Sequence, residues 1–146
     1  MKYHERTRET GYTHSPHVHE FWCSISNLPF IGIGLLRLYE GDLVVPYILY
    51  IIMGCFSFIH HATKSDRTII LDWIGIIALQ YEVFRLAFYE SIQLVTVFQT
   101  LLSFLVLLDD HFFQHVIPVP WGHTFWHILA SFTIDNLLQD MKHHST

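Results

Sequence analysis

Two stretches of this chain, residues 43–59 and 91–108, run for 17 and 18 residues without a charge. A helix crossing the hydrocarbon core of a bilayer needs about 20 mainly apolar residues, within a range of roughly 17–25. Both stretches meet that length. Charged residues are only 14% of the chain, where ordinary soluble domains carry about 25%. The deficit points to a membrane protein, with a soluble all-helical core as the weaker alternative.

Three further apolar runs are less clean. Residues 21–38 are interrupted by Ser24, Ser26 and Asn27 and closed by Arg37. Residues 68–79 enclose Asp72 and lead into an amphipathic piece carrying Glu82, Arg85 and Glu90. Residues 121–138 are more polar, and Asp135 and Asn136 near their end require partners or an interface. Short polar turns at Glu40-Gly41-Asp42 and residues 64–67, with a connector over 109–120, separate the runs. Short loops force antiparallel neighbours. The expected fold is therefore all-α: a polytopic transmembrane helix bundle of about five spans, over residues 21–140. A polar N-terminal segment, 1–20, precedes it and a tail, 141–146, follows. The first 20 residues lack the apolar core of a secretory signal peptide, so 21–38 reads as an uncleaved first span. Cys23 and Cys55 lie in apolar runs and read as free thiols. A net charge of -5 with no basic stripe argues against nucleic acid as a partner.

With five spans, Lys2, Arg6, Arg8, Lys64 and Arg67 fall on the N-terminal side, and Arg37, Arg85 and Lys142 on the other. The excess weakly favours a cytoplasmic N-terminus. The same parity brings Ser57, His61, Asp72, His123 and His127 to similar depth near the N-terminal side. Ser57 and His61, like His123 and His127, are four residues apart, which puts each pair on one helix face. Ionisable groups within spans are costly and usually functional.

Three imidazoles plus a water make a catalytic zinc site, and zinc lowers the pKa of that water to about 7. His61, His123 and His127 are the candidate ligands. Asp72 could accept the water's proton or orient a ligand histidine. Ser57 could hydrogen-bond a carbonyl oxygen as charge develops there. Together these parts suit hydrolysis of an amide or ester. Plainer readings stand beside them. An HxxxH pair is often accidental in a chain with 12 histidines. Asp72 could pair with Arg67 or Arg85, and His60 competes with His61 as a ligand. Trp22, Trp73, Trp121 and Trp126 near run ends fit membrane interfaces, and Glu82/Arg85 fits a solvated or interfacial ion pair.

At these residues the chain resembles the alkaline ceramidase family, within the superfamily of adiponectin-type receptors and Per1 lipid-remodelling proteins. Glu20-Phe21-Trp22 with Ser26-Asn27 is similar to that family's EFW…SN opening of the first helix. Ser57-x-x-x-His61 followed by Leu71-Asp72 matches its S-x3-H…D spacing. His123-x-x-Trp126-His127-Ile128-Leu129 matches its HxxWHIL motif. The resemblance covers roughly 17–90 and 119–132. It implies zinc held by His61, His123 and His127, with Ser57 and Asp72 as catalytic partners, and a ceramide-like lipid as substrate, cleaved to a sphingoid base and a fatty acid. It also implies an integral, multi-pass membrane location, in the endoplasmic reticulum or Golgi of a eukaryotic cell.

Two departures stand out. The family usually has seven spans, where this chain has room for about five. Its acidic D-W-x-E-x-N segment, which helps bind calcium, is replaced here by Arg6, Thr7, Glu9 and Gly11. Glu9 and Glu20 remain as oxygen ligands, a poor set for a cation wanting 6–8 oxygens, so calcium is not expected. Two other readings share the motif set: a non-catalytic zinc protein that is structural or lipid-sensing, and a lipid ester hydrolase.

Overall fold

The computed structural model describes residues 14–89 and 122–144. They form five helices, with no strand among the described residues: α1 (Phe21–Ile25), α2 (Leu28–Tyr39), α3 (Val44–Thr63), α4 (Asp66–Tyr89) and α5 (Gly122–His144). The fold is all-α, as the apolar runs imply. The 91–108 run, the 109–120 connector, Trp121 and Glu9 lie outside the described residues.

The first run is built from two helical pieces. It breaks at Ser26-Asn27 into α1 and α2. Both side chains turn back on the preceding backbone: Ser26 Oγ donates to the Cys23 carbonyl at 2.9 Å and Asn27 Nδ2 to the same oxygen at 2.8 Å. Such side-chain competition for backbone partners disfavours helix interiors. Pro29, in the first turn of α2, restarts the helix with a preset φ. The 68–79 run and its amphipathic continuation form one helix, α4, whose start is capped where Ser65 Oγ accepts from the Arg67 amide at 3.3 Å.

Between α2 and α3 the chain turns at Gly41, whose φ of 76° favours glycine. Close helix approach follows at Gly54. A Cβ there would lie 2.7 Å from Phe30 Cβ, so only glycine lets α2 and α3 meet. The core between the helices is built from Phe30, Tyr47, Tyr50, Leu79 and Leu138.

α5 is fastened to α2 and α3 by buried polar contacts. Arg37 donates through Nε and Nη2 to the two Asp135 oxygens at 3.0 and 2.9 Å. Tyr47 Oη donates to Asp135 at 2.8 Å, so Asp135 has the partners its position in an apolar run demands. Gln139 donates to Asp42 and to Tyr47 Oη, and Lys142 pairs with Asp42. Nearer the middle of the bundle, Tyr50 Oη donates to the Ser131 carbonyl. Arg85 pairs with Glu82 at 2.7 Å, with Glu82 buried and Arg85 exposed.

Among the described residues, Phe21–Tyr39 and Val44–Thr63 are long and apolar enough to cross a membrane. α4 and α5, at 24 and 23 residues, have the length but a more polar composition. The outward surface is strongly apolar. Ile70, Ile74, Ile77, Tyr81 and Phe84 make an exposed stripe along α4, while Glu20, Asn27, Ser57, His61, Asp72 and His127 are buried.

Candidate metal centre

His61 is in the last turn of α3, with its neighbours on three sides supplied by the chain before α1, by α4 and by α5. The segment before α1 docks by backbone hydrogen bonds: the His19 and Glu20 amides donate to the Ala62 and His61 carbonyls at 2.9 and 3.0 Å. Those carbonyls belong to the end of α3, where intrahelical donors run out. The docking brings Glu20 beside His61. Glu20 occupies the N-cap position of α1 yet makes no cap bond with its side chain. Its Oε2 instead meets His61 Nδ1 at 2.6 Å and Lys64 Nζ at 2.7 Å.

α5 delivers the other two histidines from one face. The donor atoms of His61, His123 and His127 all lie within 4.8 Å of one another. His61 Nε2 and His123 Nε2 are 3.1 Å apart. Two nitrogens on a tetrahedral zinc, each at 2.0–2.1 Å, are about 3.3 Å apart, so these rings are already spaced as co-ligands. His127 is fully buried. Its Nδ1 contacts Ser26 Oγ at 2.8 Å and the Cys23 carbonyl at 3.1 Å. Ser26 spends its hydroxyl proton on Cys23, so His127 Nδ1–H is the donor and Nε2 keeps its lone pair. His61 is fixed in the same sense, donating from Nδ1 to Glu20. Histidines that ligate metals are commonly held this way through the second nitrogen. The donor set and the outer hydrogen bonds fit a divalent ion that accepts nitrogen ligands.

Ser57 and Asp72 flank the histidines. Ser57 precedes His61 by one turn and is buried, as is Asp72 in α4. Asp72 Oδ1 is buried with no hydrogen-bond partner. Arg85, one of the partners considered for Asp72, goes to Glu82 instead. His60 is also buried but lies outside the cluster, with Nδ1 at 3.4 Å from Thr68 Oγ1.

Two contributors carry no spacing signal. Glu20 and Ser26 stand in the EFW…SN stretch, but nothing local shows that they hold the rings of His61 and His127. Trp126, expected at an interface, stacks on His123 at 5.8 Å with an interplanar angle of 29°. A second buried set, Glu20, Cys23 and His61, also gathers donor atoms within 4.8 Å. It shares His61 with the first, and Glu20 Oε2 is taken by the Lys64 ammonium and His61 Nδ1.

A family model, Ceramidase, matches residues 8–118. The chain belongs to the ceramidase family. The match takes in Glu20, Ser57, His61, Lys64 and Asp72, and stops short of His123 and His127. No curated protein and no solved structure matches the chain. Ceramidase membership supports a hydrolase acting on ceramide-like lipid, and the histidine cluster is compatible with a metal.

Proposed function

We propose that this ceramidase is a membrane-embedded, zinc-dependent amidohydrolase that cleaves a ceramide-like lipid to a sphingoid base and a fatty acid. One observation carries the reading: three imidazole donors converge at the end of the bundle that also holds Ser57 and the unpartnered Asp72 oxygen. His61, His123 and His127 would hold the zinc. When bound, it supplies a Lewis acid and a water acidic enough to react at neutral pH.

The remaining chemistry belongs to the chain. Asp72 Oδ1 accepts a proton from water and later delivers it to the leaving amide nitrogen. Water thus adds across the C–N bond, its oxygen going to the acyl carbon and its protons ending on the products. Ser57 offers its hydroxyl proton to the substrate oxygen as negative charge builds there.

Membrane embedding is supported by the distribution of polarity. Buried carboxylates and histidines inside, with an apolar stripe outside, are what a lipid solvent favours. An amide near one membrane face suits a lipid substrate entering from the bilayer.

The test is turnover of labelled ceramide by purified protein. Asp72→Asn should lose about 10²-fold or more, the scale of general acid–base catalysis. Ser57→Ala should lose a comparable factor, and both should retain zinc. A wild type that holds zinc but hydrolyses no ceramide in any detergent or lipid would replace the enzyme with a structural or lipid-sensing protein. Turnover of acyl esters alone would make it a lipid esterase.

A further inference from the structure

Lys64 is the only non-glycine residue with positive φ among the described residues, at 49°. It sits at the C-cap of α3 in the left-handed conformation, where glycine is the usual occupant. A lysine there bears a steric cost that glycine avoids. The side chain does not simply reach into water. Its ammonium lies 2.7 Å from Glu20 Oε2, with side-chain exposures of 9% for Lys64 and 0% for Glu20. That same oxygen receives His61 Nδ1 at 2.6 Å.

We infer that Lys64 is a positioning residue for the metal centre: its ammonium holds the Glu20 carboxylate, which in turn holds His61 with Nε2 turned to the metal. The inference deepens the zinc reading and rests on it. The left-handed turn directs the lysine stem back over the end of α3 toward the docked 19–20 segment. A carboxylate buried without a counter-charge is costly. Without the ammonium, Glu20 would turn toward water, and His61 would lose the acceptor that fixes its tautomer.

Lys64→Gly separates this role from a structural one, because glycine suits the backbone better. The full chain in detergent should stay folded and hold zinc about 10–100-fold more weakly, the range for loss of an outer hydrogen-bond partner. Lys64→Arg, which keeps the cation, should stay within about threefold of wild type. In a Glu20→Gln background, Lys64→Gly should add little, since the lysine acts through the carboxylate. A metal-free readout accompanies these. The downfield ring N–H proton of His61 in the apo protein should persist in Lys64→Arg and be lost in Lys64→Gly. Wild-type zinc affinity in Lys64→Gly, an equal loss in Lys64→Arg, or full additivity with Glu20→Gln each overturns the proposal. If the wild type binds no zinc, the zinc reading fails, and the His61 proton still decides whether Lys64 positions that ring.

Discussion

His60 and His61 are adjacent, and about 100° of helix rotation separates them. That rotation turns His61 into the cluster with His123 and His127 and leaves His60 near Thr68. Elemental analysis of purified protein should therefore find about one zinc per chain in the wild type and in His60→Ala, and much less in His127→Ala. Equal zinc in all three would break the ligand assignment. At this scale the i, i+4 pairs were legible because helix geometry makes them local. Ser57 and His61 share a face whatever the tertiary fold does. Glu20 and Ser26 were not legible as ring holders, because they meet their histidines across 41 and 101 residues. The resemblance marked both stretches without assigning either a contact. Trp126 was read as an interfacial ring because its position near a run end is all that sequence offers.

Helix boundaries were legible where turn chemistry is local, as at Gly41 and Ser65, and less so at Ser26-Asn27. There, nothing local distinguishes polar groups that face the bundle interior from a break in the helix. The structure has both at once, since Ser26, at the break, also accepts from His127. Asp135 was recognisable as a residue in need of a partner, but the partner, Arg37, is 98 residues away. That contact fixes the rotation and register of α5, and so the two ligands at its other end. Arg37 is partly exposed and Asp135 is buried, so removing Arg37 leaves a buried carboxylate oxygen short of a partner, at about 1–3 kcal/mol. Arg37→Met should thus lower the melting temperature of the purified protein by several degrees and weaken zinc binding with it. Glu40, the exposed second partner of Arg37, contributes on the order of 0–1 kcal/mol. Glu40→Gln should leave the melting temperature within a degree or two. If the two variants melt alike, the Asp135 contact is not what anchors α5.

At the scale of the whole molecule, the termini of the helices sort into two groups. The end of α3, the start of α4 and the start of α5 meet at one pole, the one that holds the metal centre, through the His60–Thr68 and His61–His123 contacts. The end of α2, the start of α3 and the end of α5 meet at the other pole, through Arg37, Asp42, Asp135 and Lys142. Buried polar groups cluster at each pole, and an apolar exterior lies between them. In a bilayer this arrangement puts the two poles at opposite faces. The span count depends on residues 91–108, whose uncharged length fits one crossing, and on α4 and α5, whose composition is less apolar than their length demands. Their internal polar residues explain the difference: Asp72, Glu82 and Asp135 are buried, so average apolarity understates how well the outer surface suits lipid. Thiol labelling in sealed vesicles reads the outcome directly. In a Cys55→Ala background, Arg67→Cys and Asp110→Cys should react with a membrane-impermeant reagent from one side, and Glu40→Cys from the other. Both Arg67 and Glu40 are exposed, so failure to react reflects sidedness more than burial. Labelling of Arg67→Cys and Asp110→Cys from opposite sides would remove the odd parity that carries the chain from α4 back to His123. Labelling of all three from both sides would mean that the bundle does not span the bilayer, and that its apolar face lies along a membrane surface or against a protein partner.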